Sequence, residues 1–446
     1  MKYSISKHFT TKDILLFTLP SILTMIFTSL YTIVDGIFVS RFVGSDALSA
    51  INIVLPVINL TNGIGIMMGT GGSAVIGRKL GEGNVKGARK SFSLIIAFTF
   101  AWGIICSVLL VAFSREISLL LGSSERLIEE CTKYLRVYSI FLWASILQII
   151  FQTLLVTAGQ PNLSLFLTVA AGISNIVLDY IFIVPMNLGI IGAALGTGIS
   201  CLVASIPSFL FFYRNEGELR FARFRYEAQT ILQTLSNGSS EMVSSVASGI
   251  IVFLFNKSMM TLAGEDGVAA LSVVMYTQFL FAALHIGFSN GIAPVFSYHY
   301  GSGNKEELRG LFKKCSFLVI TATVFVVLTA FITAEFVVAV FTGRGNALYE
   351  LTLHGYRIFI WNFLFAGINI FASALFTALS NGLISASISF LRTFIAEILA
   401  ILFLPVLLGI NGLWLAVPSA EFVSSLFAVF CIVKYFVFVY FRKTQQ

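Results

Sequence analysis

Apolar runs of about 20 residues or more, long enough to cross a bilayer as helices, follow one another along the chain, parted by short polar or glycine-bearing turns. The alternation predicts twelve spans, over 13–39, 47–77, 92–112, 130–158, 164–184, 190–212, 234–260, 268–298, 312–333, 352–378, 384–407 and 411–441. The second and eighth are longer than a bilayer core requires and are expected to tilt, bend or project. No stretch between the spans is long enough for a soluble domain, so the expected fold class is an all-α integral membrane protein.

The turns between the spans repeat. "VGSDALSA" at 43–50 is echoed by "AGEDGVAA" at 263–270, and Gly44 and Gly264 set an offset of 220 residues. The same offset pairs Gly71 with Gly291, Gly81 with Gly301, Asn84 with Asn304, Arg89 with Arg309, Thr157 with Thr377, Pro185 with Pro405 and Gly189 with Gly409. Each copy carries six spans, an even number, so both copies enter and leave on one side as parallel repeats about an axis along the membrane normal. The expected organisation is an N-lobe at 1–212, a charged inter-lobe linker at 213–233 and a C-lobe at 234–446. Two six-helix lobes flanking a cleft suit alternating access, in which one lobe rocks against the other around a central site.

Composition agrees and charge adds orientation. Hydrophobic residues make up 57% of the chain and charged ones 11%, with a mean hydropathy of +0.92, far from a soluble domain. The net charge of +7 gathers on one side. There stand Lys2, Lys7 and Lys12, Arg78, Lys79, Lys86, Arg89 and Lys90, then Arg214, Arg220, Arg223 and Arg225, Lys305, Arg309, Lys313 and Lys314, and finally Lys434, Arg442 and Lys443. Glu125, Glu129 and Glu130 lie opposite. By the positive-inside rule the basic side is cytoplasmic and holds both termini, as for a multi-pass membrane protein. The charge is thereby explained as topology, and nucleic acid is excluded as the partner. The basic start lacks a small-residue cleavage site and is expected to remain in the mature chain. Cys106, Cys131, Cys201, Cys315 and Cys431 are scattered without paired spacing, which suits buried packing and neither a disulfide framework nor a zinc site.

Against this background, acids at membrane depth stand out. A charge there costs about 2.5–3.5 kcal/mol on insertion scales, so a retained carboxylate marks a functional candidate. Asp35 lies near the outer end of the first span and Asp179 in the outer part of the fifth. Asn175, four residues before Asp179, shares its helical face. Thr197, on the returning sixth span, can present its hydroxyl to the same point. Two carboxylates, an amide oxygen and a hydroxyl form a hard-oxygen set suited to Na⁺, or to a proton shared between the acids. Taken singly, each residue has a plainer use: a solvated cap for either Asp, interhelical glue for Asn175, a back-bond to its own helix for Thr197.

The offset sets Phe255, Ile395, Leu399 and Val417 opposite these four, so a site of this composition belongs to the first lobe alone. Other polar or pliable residues suit a substrate cleft or packing: Glu241 in "NGSSEMVSS" and His285 either one, Met67 and Met275 packing before a pliable pocket. Arg392 and Glu397, five apart in the eleventh span, stand too far round an α-helix to pair, so each is expected to reach another helix or the interface. "GFSNG" at 287–291 fits G-x-S-x-G, but inside a helix without the strand-to-helix turn a nucleophile elbow needs. No HExxH motif or aspartate-rich cluster is present either, so an enzyme is not expected.

"LPSILTMIFTSLYTIVDGIFVSRFVGSDALSAINI", "GGSAVIGRKLGEGN", "AGQPN" at 158–162, and "SNIVLDYIFI" followed by "GIIGAALGT" resemble the multidrug and toxic compound extrusion (MATE) family. "NGSSEMV" and "LFN" are most similar to its bacterial MepA-like branch. The resemblance spans essentially the whole chain. It implies an antiporter exporting amphipathic, often cationic organic compounds in exchange for Na⁺ or H⁺, with no organic cofactor and, as expected here, as a monomer within membrane lipid. It also implies a first-lobe cation site at Asp35, Asn175, Asp179 and Thr197, with Tyr134 a further member. The acidic pair that some members carry deep in the second lobe is not matched, which favours first-lobe coupling. Alternatives within the superfamily are a lipid-linked precursor flippase, for which Arg392, Arg357 and Lys257 are sparse cations, and an exporter of an endogenous metabolite.

Overall fold

The computed structural model describes residues 5–435, and among these all regular structure is helical. The first lobe consists of α1 (Thr11–Phe42), α2 (Ser45–Gly81), α3 (Val85–Ala112), α4 (Ile128–Ile140 and, after a 55° bend, Leu142–Thr157), α5 (Pro161–Ile183) and α6 (Gly189–Arg214). The second consists of α7 (228–263), α8 (265–301), α9 (Lys305–Thr342), α10 (Ala347–Ala378), α11 (Gly382–Leu408) and α12 (Ile410–Tyr435). Together α7 and α8 cover 74 residues, Ala228–Gly301. A straight helix of that length would measure about 110 Å against a hydrocarbon core of about 30 Å. The chain turns back instead at Gly264, whose φ of 62° and ψ of −150° only glycine adopts readily. All twelve expected spans are therefore present. The end of the expected twelfth span, 436–441, lies outside the described residues, as do Lys2, Arg442 and Lys443. The expected linker is helical at both ends and non-helical over 215–227.

The duplication is written into the turn chemistry. Asn84 and Asn304 cap α3 and α9 in the same way, their side chains accepting the Gly87 N–H at 2.8 Å and the Glu307 N–H at 3.0 Å. Just before them Gly83 and Gly303 take φ of 74° and 68°, in the left-handed region.

On the basic face the lobes touch backbone to backbone. A methyl group built on Gly81 would lie 1.9 Å from the Tyr298 carbonyl oxygen, and one on Gly301 would lie 2.1 Å from that of Arg78. These glycines are equivalent under the repeat, so α2 and α8 meet symmetrically. Gly71 and Gly238 extend the seam between α2 and α7, each within 2.0 Å, on the same measure, of a carbonyl oxygen opposite (Thr234 and Met67). Between α8 and α1, Gly287 and Gly291 lie against the Ser21–Ile22 segment. The glycines of "GFSNG" are thus packing surfaces, with Ser289 buried between them.

Ahead of α1, residues 5–10 strap the basic face. Phe9 is fully buried, edge-on to Phe17 at 5.7 Å. Its N–H donates to Glu307 Oε1 at 3.1 Å and its carbonyl accepts from Lys314 Nζ at 2.6 Å, while His8 Nδ1 lies 2.5 Å from Glu307 Oε2. The strap therefore ties the root of α1 to α9 of the other lobe. Glu307→Ala would leave the Phe9 amide buried without an acceptor, at about 1–3 kcal/mol. We expect faster proteolysis between residues 5 and 10 and a lower melting temperature in detergent. A digestion rate equal to the parent's would show that the strap is not held by these bonds.

Candidate functional site

Close helix approach creates the first-lobe site. On α5, Gly172 faces Phe27 and Tyr31 of α1; on α6, Gly196 faces Asp179, so that a methyl group there would fall 2.0 Å from Asp179 Oδ1. With no side chains in the way, α1, α5 and α6 converge and the carboxyl groups of Asp35 and Asp179 face each other. Asp179 and Asn175 are 1% and 2% exposed. Asn175 Nδ2 lies 3.4 Å from Thr197 Oγ1 on α6. Tyr134 on α4 is buried beside both acids. All five residues expected at this site are thus brought together.

The chemistry of the set is one-sided. Asp35 Oδ1, Asn175 Oδ1 and both carboxylate oxygens of Asp179 are buried with no hydrogen-bond donor. A buried acceptor left unpaired costs about 1–3 kcal/mol, more when charged, so convergent acceptors invite either a shared proton or a cation. Two carboxylates with neutral oxygens fit a monovalent ion such as Na⁺. Among the described residues no group of three or more His, Cys, Asp or Glu is placed to hold a metal.

Sequence reasoning missed the surroundings of this site. Tyr31, one turn before Asp35, and Tyr138, one turn after Tyr134, join it; their four-residue spacing from predicted members was a legible signal. Tyr134 and Tyr138 stack with centroids 6.1 Å apart and planes within 4°. From Tyr138 a hydrogen-bonded triad runs outward, its hydroxyl donating to Ser145 at 3.2 Å, Ser145 to Asn62 Oδ1 at 3.1 Å, and Asn62 Nδ2 back to Tyr138 at 3.3 Å. Asn62 and Ser145 carried no signal beyond polarity. Next to Asn62, Gly63 meets Ser245 of α7 across the lobe boundary.

On the far face, opposite the basic one, the lobes part around a cleft of about 660 Å³. Asn52 and Asn59 of α2, Ser245 and Asn256 of α7, and Met275 and Tyr276 of α8 line it, and no lining residue is charged. Met275 is the only one of the four cleft candidates found there. Glu241 lies deeper, in a polar cavity of about 20 Å³ shared with Thr70, Ser73 and Thr153, where α2 and α7 have already closed. Met67 sits in the closed seam, its carbonyl against Gly238. Of the two uses open to His285, packing is the one found: it is 2% exposed and bonds Thr323 at 3.1 Å inside the second lobe, because its helix turns that face inward.

The second lobe has its own charged centre. Arg392 does reach another helix, pairing with Glu421 of α12 at 2.5 Å. Glu421 was missed, although a carboxylate amid "VPSAEFVSS" obeys the rule that singled out Asp179. Arg392 and Glu397 lie on a π-helical stretch, Leu391–Glu397. Its wider winding brings residues five apart nearer one face, which α-helical spacing had ruled out.

These features define a class: a duplicated twelve-span membrane protein with a cleft between its lobes, the architecture of a secondary transporter. The chain belongs to the MatE family, whose model matches residues 20–181 and again 241–402, one match per lobe. Among its relatives are multidrug export protein MepA of Staphylococcus saprophyticus subsp. saprophyticus, 24% identical over 92% of this chain and 90% of that one. MepA of Staphylococcus aureus (strain MRSA252) is 25% identical over 96% and 94%. The fold is shared with an outward-facing conformation of a multidrug resistance MATE family transporter of the MOP superfamily, with a TM-score of 0.89 at 21% identity over 95% of each chain. A MATE crystal structure in complex with MaD3S gives 0.88 at 21% identity, again over 95% of each.

Proposed function

We propose that this protein is a multidrug efflux antiporter, exporting amphipathic, often cationic organic compounds in exchange for Na⁺ or H⁺ taken up at Asp35, Asn175, Asp179, Thr197 and Tyr134. The observation that carries the reading is the set of buried, donorless oxygens of Asp35, Asn175 and Asp179, sealed in one lobe and separate from an uncharged cleft between the lobes. With the basic face cytoplasmic, as the positive-inside rule places it in a bacterial inner membrane, the cleft opens outward and the seam of glycines closes the inner side.

The geometry then supports a division of labour. In this state the cleft offers amides, hydroxyls and apolar surface but no carboxylate to an organic cation, so release is favoured. An ion entering from outside satisfies the donorless oxygens and stabilises the arrangement of α1, α5 and α6 that holds them. Through the tyrosine pair and the Asn62 triad that arrangement bears on α2 at Gly63, where it touches α7. Ion and drug need share no atom, only opposite preferences between the two states. The moving units are the lobes 1–212 and 234–446, joined through 213–233, within one monomer. The test is transport in proteoliposomes of ethidium, a fluorescent organic cation, under an imposed Na⁺ or pH gradient. Uptake or efflux that neither gradient changes would end this reading.

A further inference from the structure

Beside the closed seam of the basic face lies a second cavity, which the mechanism above leaves unused. It holds about 300 Å³, at the lower end of the roughly 300–1,000 Å³ of small-molecule sites. Its walls come from both lobes. Val75, Arg78, Lys79 and Glu82 share one face of α2, at steps of three or four residues. Facing them, Gln229, Gln233 and Asn237 recur every fourth residue along α7, with Glu227 and Thr230 at its start. Ser380, in the turn between α10 and α11, completes the lining. Just past that turn a methyl group on Gly382 would fall 2.0 Å from the Ser236 carbonyl oxygen, so the turn is pinned against α7.

The fold leaves the polar groups of this cavity open. Asn237 is 5% exposed, and among the described residues neither its side chain nor those of Gln229 and Gln233 is hydrogen-bonded. Ser380 Oγ is buried without a partner, on a residue held at φ of 56°, in the left-handed region that non-glycine residues seldom adopt. Helix packing alone gives no reason for a buried carboxamide with nothing to bond. The charges are balanced and sorted by depth. Arg78 pairs with Glu82 at 2.8 Å and Lys79 with Glu227 at 4.0 Å, so the lining as a whole is neutral. Lys79, its side chain 22% exposed, lies inward, donating to Ser91 at 2.7 Å and to Thr230 at 3.3 Å. Glu227, 59% exposed, and Glu82, 39% exposed, stand at the rim. A bare anion would gain Lys79 but meet the rim carboxylates, and a bare cation the reverse. A solute carrying both charges satisfies both.

We infer that this cavity is a regulatory site for a zwitterion that joins an oxyanion to a primary ammonium. The oxyanion lies inward against Lys79, the Asn237 amide and the Ser380 hydroxyl. The ammonium points outward to Glu82 and Glu227, with Gln229 and Gln233 bonding between. Because one wall belongs to the first lobe and the others to the second, rocking the lobes apart dismantles the site. A ligand there binds the state closed on the basic face and by linkage opposes the other. It thus holds the transporter away from reloading on that face, as a brake set by ligand concentration. The braking rests on the proposed exporter reading, whereas the binding does not. A free solute and the ethanolamine headgroup of a phospholipid both offer this chemistry.

The probe is glycerophosphoethanolamine, that headgroup without its acyl chains. The melting temperature of the purified full chain in detergent is read against probe concentration, and a saturable rise is expected. Glycerol 3-phosphate, which lacks the ammonium, and ethanolamine, which lacks the oxyanion, should each require at least about tenfold more. Asn237→Asp keeps the side chain's shape but sets a carboxylate against the oxyanion, and should raise the half-saturating concentration at least about tenfold. Ser380→Gly removes the hydroxyl and relieves the positive φ, so it should fold at least as well as the parent and raise that concentration at least about threefold. No saturable shift in the wild type, or wild-type half-saturation in both variants, would overturn the inference. Repeating the titration in nanodiscs of phosphatidylcholine, with and without phosphatidylethanolamine, assigns the source. A higher half-saturating concentration with the ethanolamine lipid means that its headgroup competes for the site; an unchanged one means that the ligand is a free solute. In phosphatidylcholine proteoliposomes, saturating probe on both sides should slow gradient-driven ethidium transport at least about fivefold, and less in Ser380→Gly at the same concentration. Undiminished transport with the site saturated would refute the brake. If no gradient drives the wild type without probe, the exporter reading fails, while the melting curves still decide whether the site exists.

Discussion

Asp179→Asn is expected to cut gradient-driven export severalfold to about a hundredfold while leaving the chain folded. The substitution keeps the side chain's shape but replaces a buried, donorless oxygen with an amide that can donate to Asp35 across the α1–α5 contact. One carboxylate then finds a donor inside the protein, and the demand for a proton or Na⁺ falls away. Replacing one member of a like-charged buried pair by a neutral isostere relieves repulsion, so the melting temperature should not drop. Coupling free energies of about 1–3 kcal/mol correspond to roughly 5–150-fold in linked affinity, and loss of gradient-driven ethidium export within that range is expected. Asp35→Asn should act in the same direction. If either variant responds to Na⁺ and pH gradients as the parent does, the assignment of these carboxylates to coupling is wrong.

Much of this was legible because membranes punish polarity so strongly. Hydropathy marked all twelve spans, and the repeat survived in turns where a glycine must take positive φ or an asparagine must cap, as at Gly83–Asn84 and Gly303–Asn304. Asp35, Asn175 and Asp179 could be found because each is a costly intrusion into an apolar helix, at a spacing that shares a face. What sequence could not convey was which way a polar residue turns once several helices surround it. His285 looked no less eligible for the cleft than Met275, yet only contact with Thr323 decides that it faces inward. Arg392 and Glu397 were judged by α-helical geometry, whereas the chain winds there as a π-helix, a local departure with no compositional mark. Glu421 is a different kind of miss. The rule that found Asp179 applied to it equally.

Gly81→Val is expected to hold the basic face open and stop the transport cycle. The atoms that a side chain at Gly81 would strike are the Tyr298 carbonyl and the Ser302 amide, both backbone, so no rotamer change can relieve the clash. The helices must separate instead, and because Gly81 and Gly301 are repeat equivalents facing each other, the separation falls at the symmetry axis of the closed seam. Overpacking costs about 1–3 kcal/mol where neighbours can adjust and more against a rigid backbone. Shifting a two-state equilibrium from 1:99 to 99:1 takes about 5.5 kcal/mol. Gly81→Ala should therefore redistribute the two states, whereas Gly81→Val should approach full occupancy of the state open on the basic face. A cysteine at Ser248, which lines the far-face cleft, reports this directly. The five native cysteines are buried, so labelling by a membrane-impermeant thiol reagent from the far side should come from that position. It should fall severalfold in Gly81→Ala and be nearly lost in Gly81→Val. Gly310→Ala, with nothing within 4 Å of the added methyl group, should leave labelling unchanged. Undiminished labelling in Gly81→Val would mean that the seam tolerates separation without exchanging one open face for the other, and the lobes would then not be coupled as rigid bodies across it.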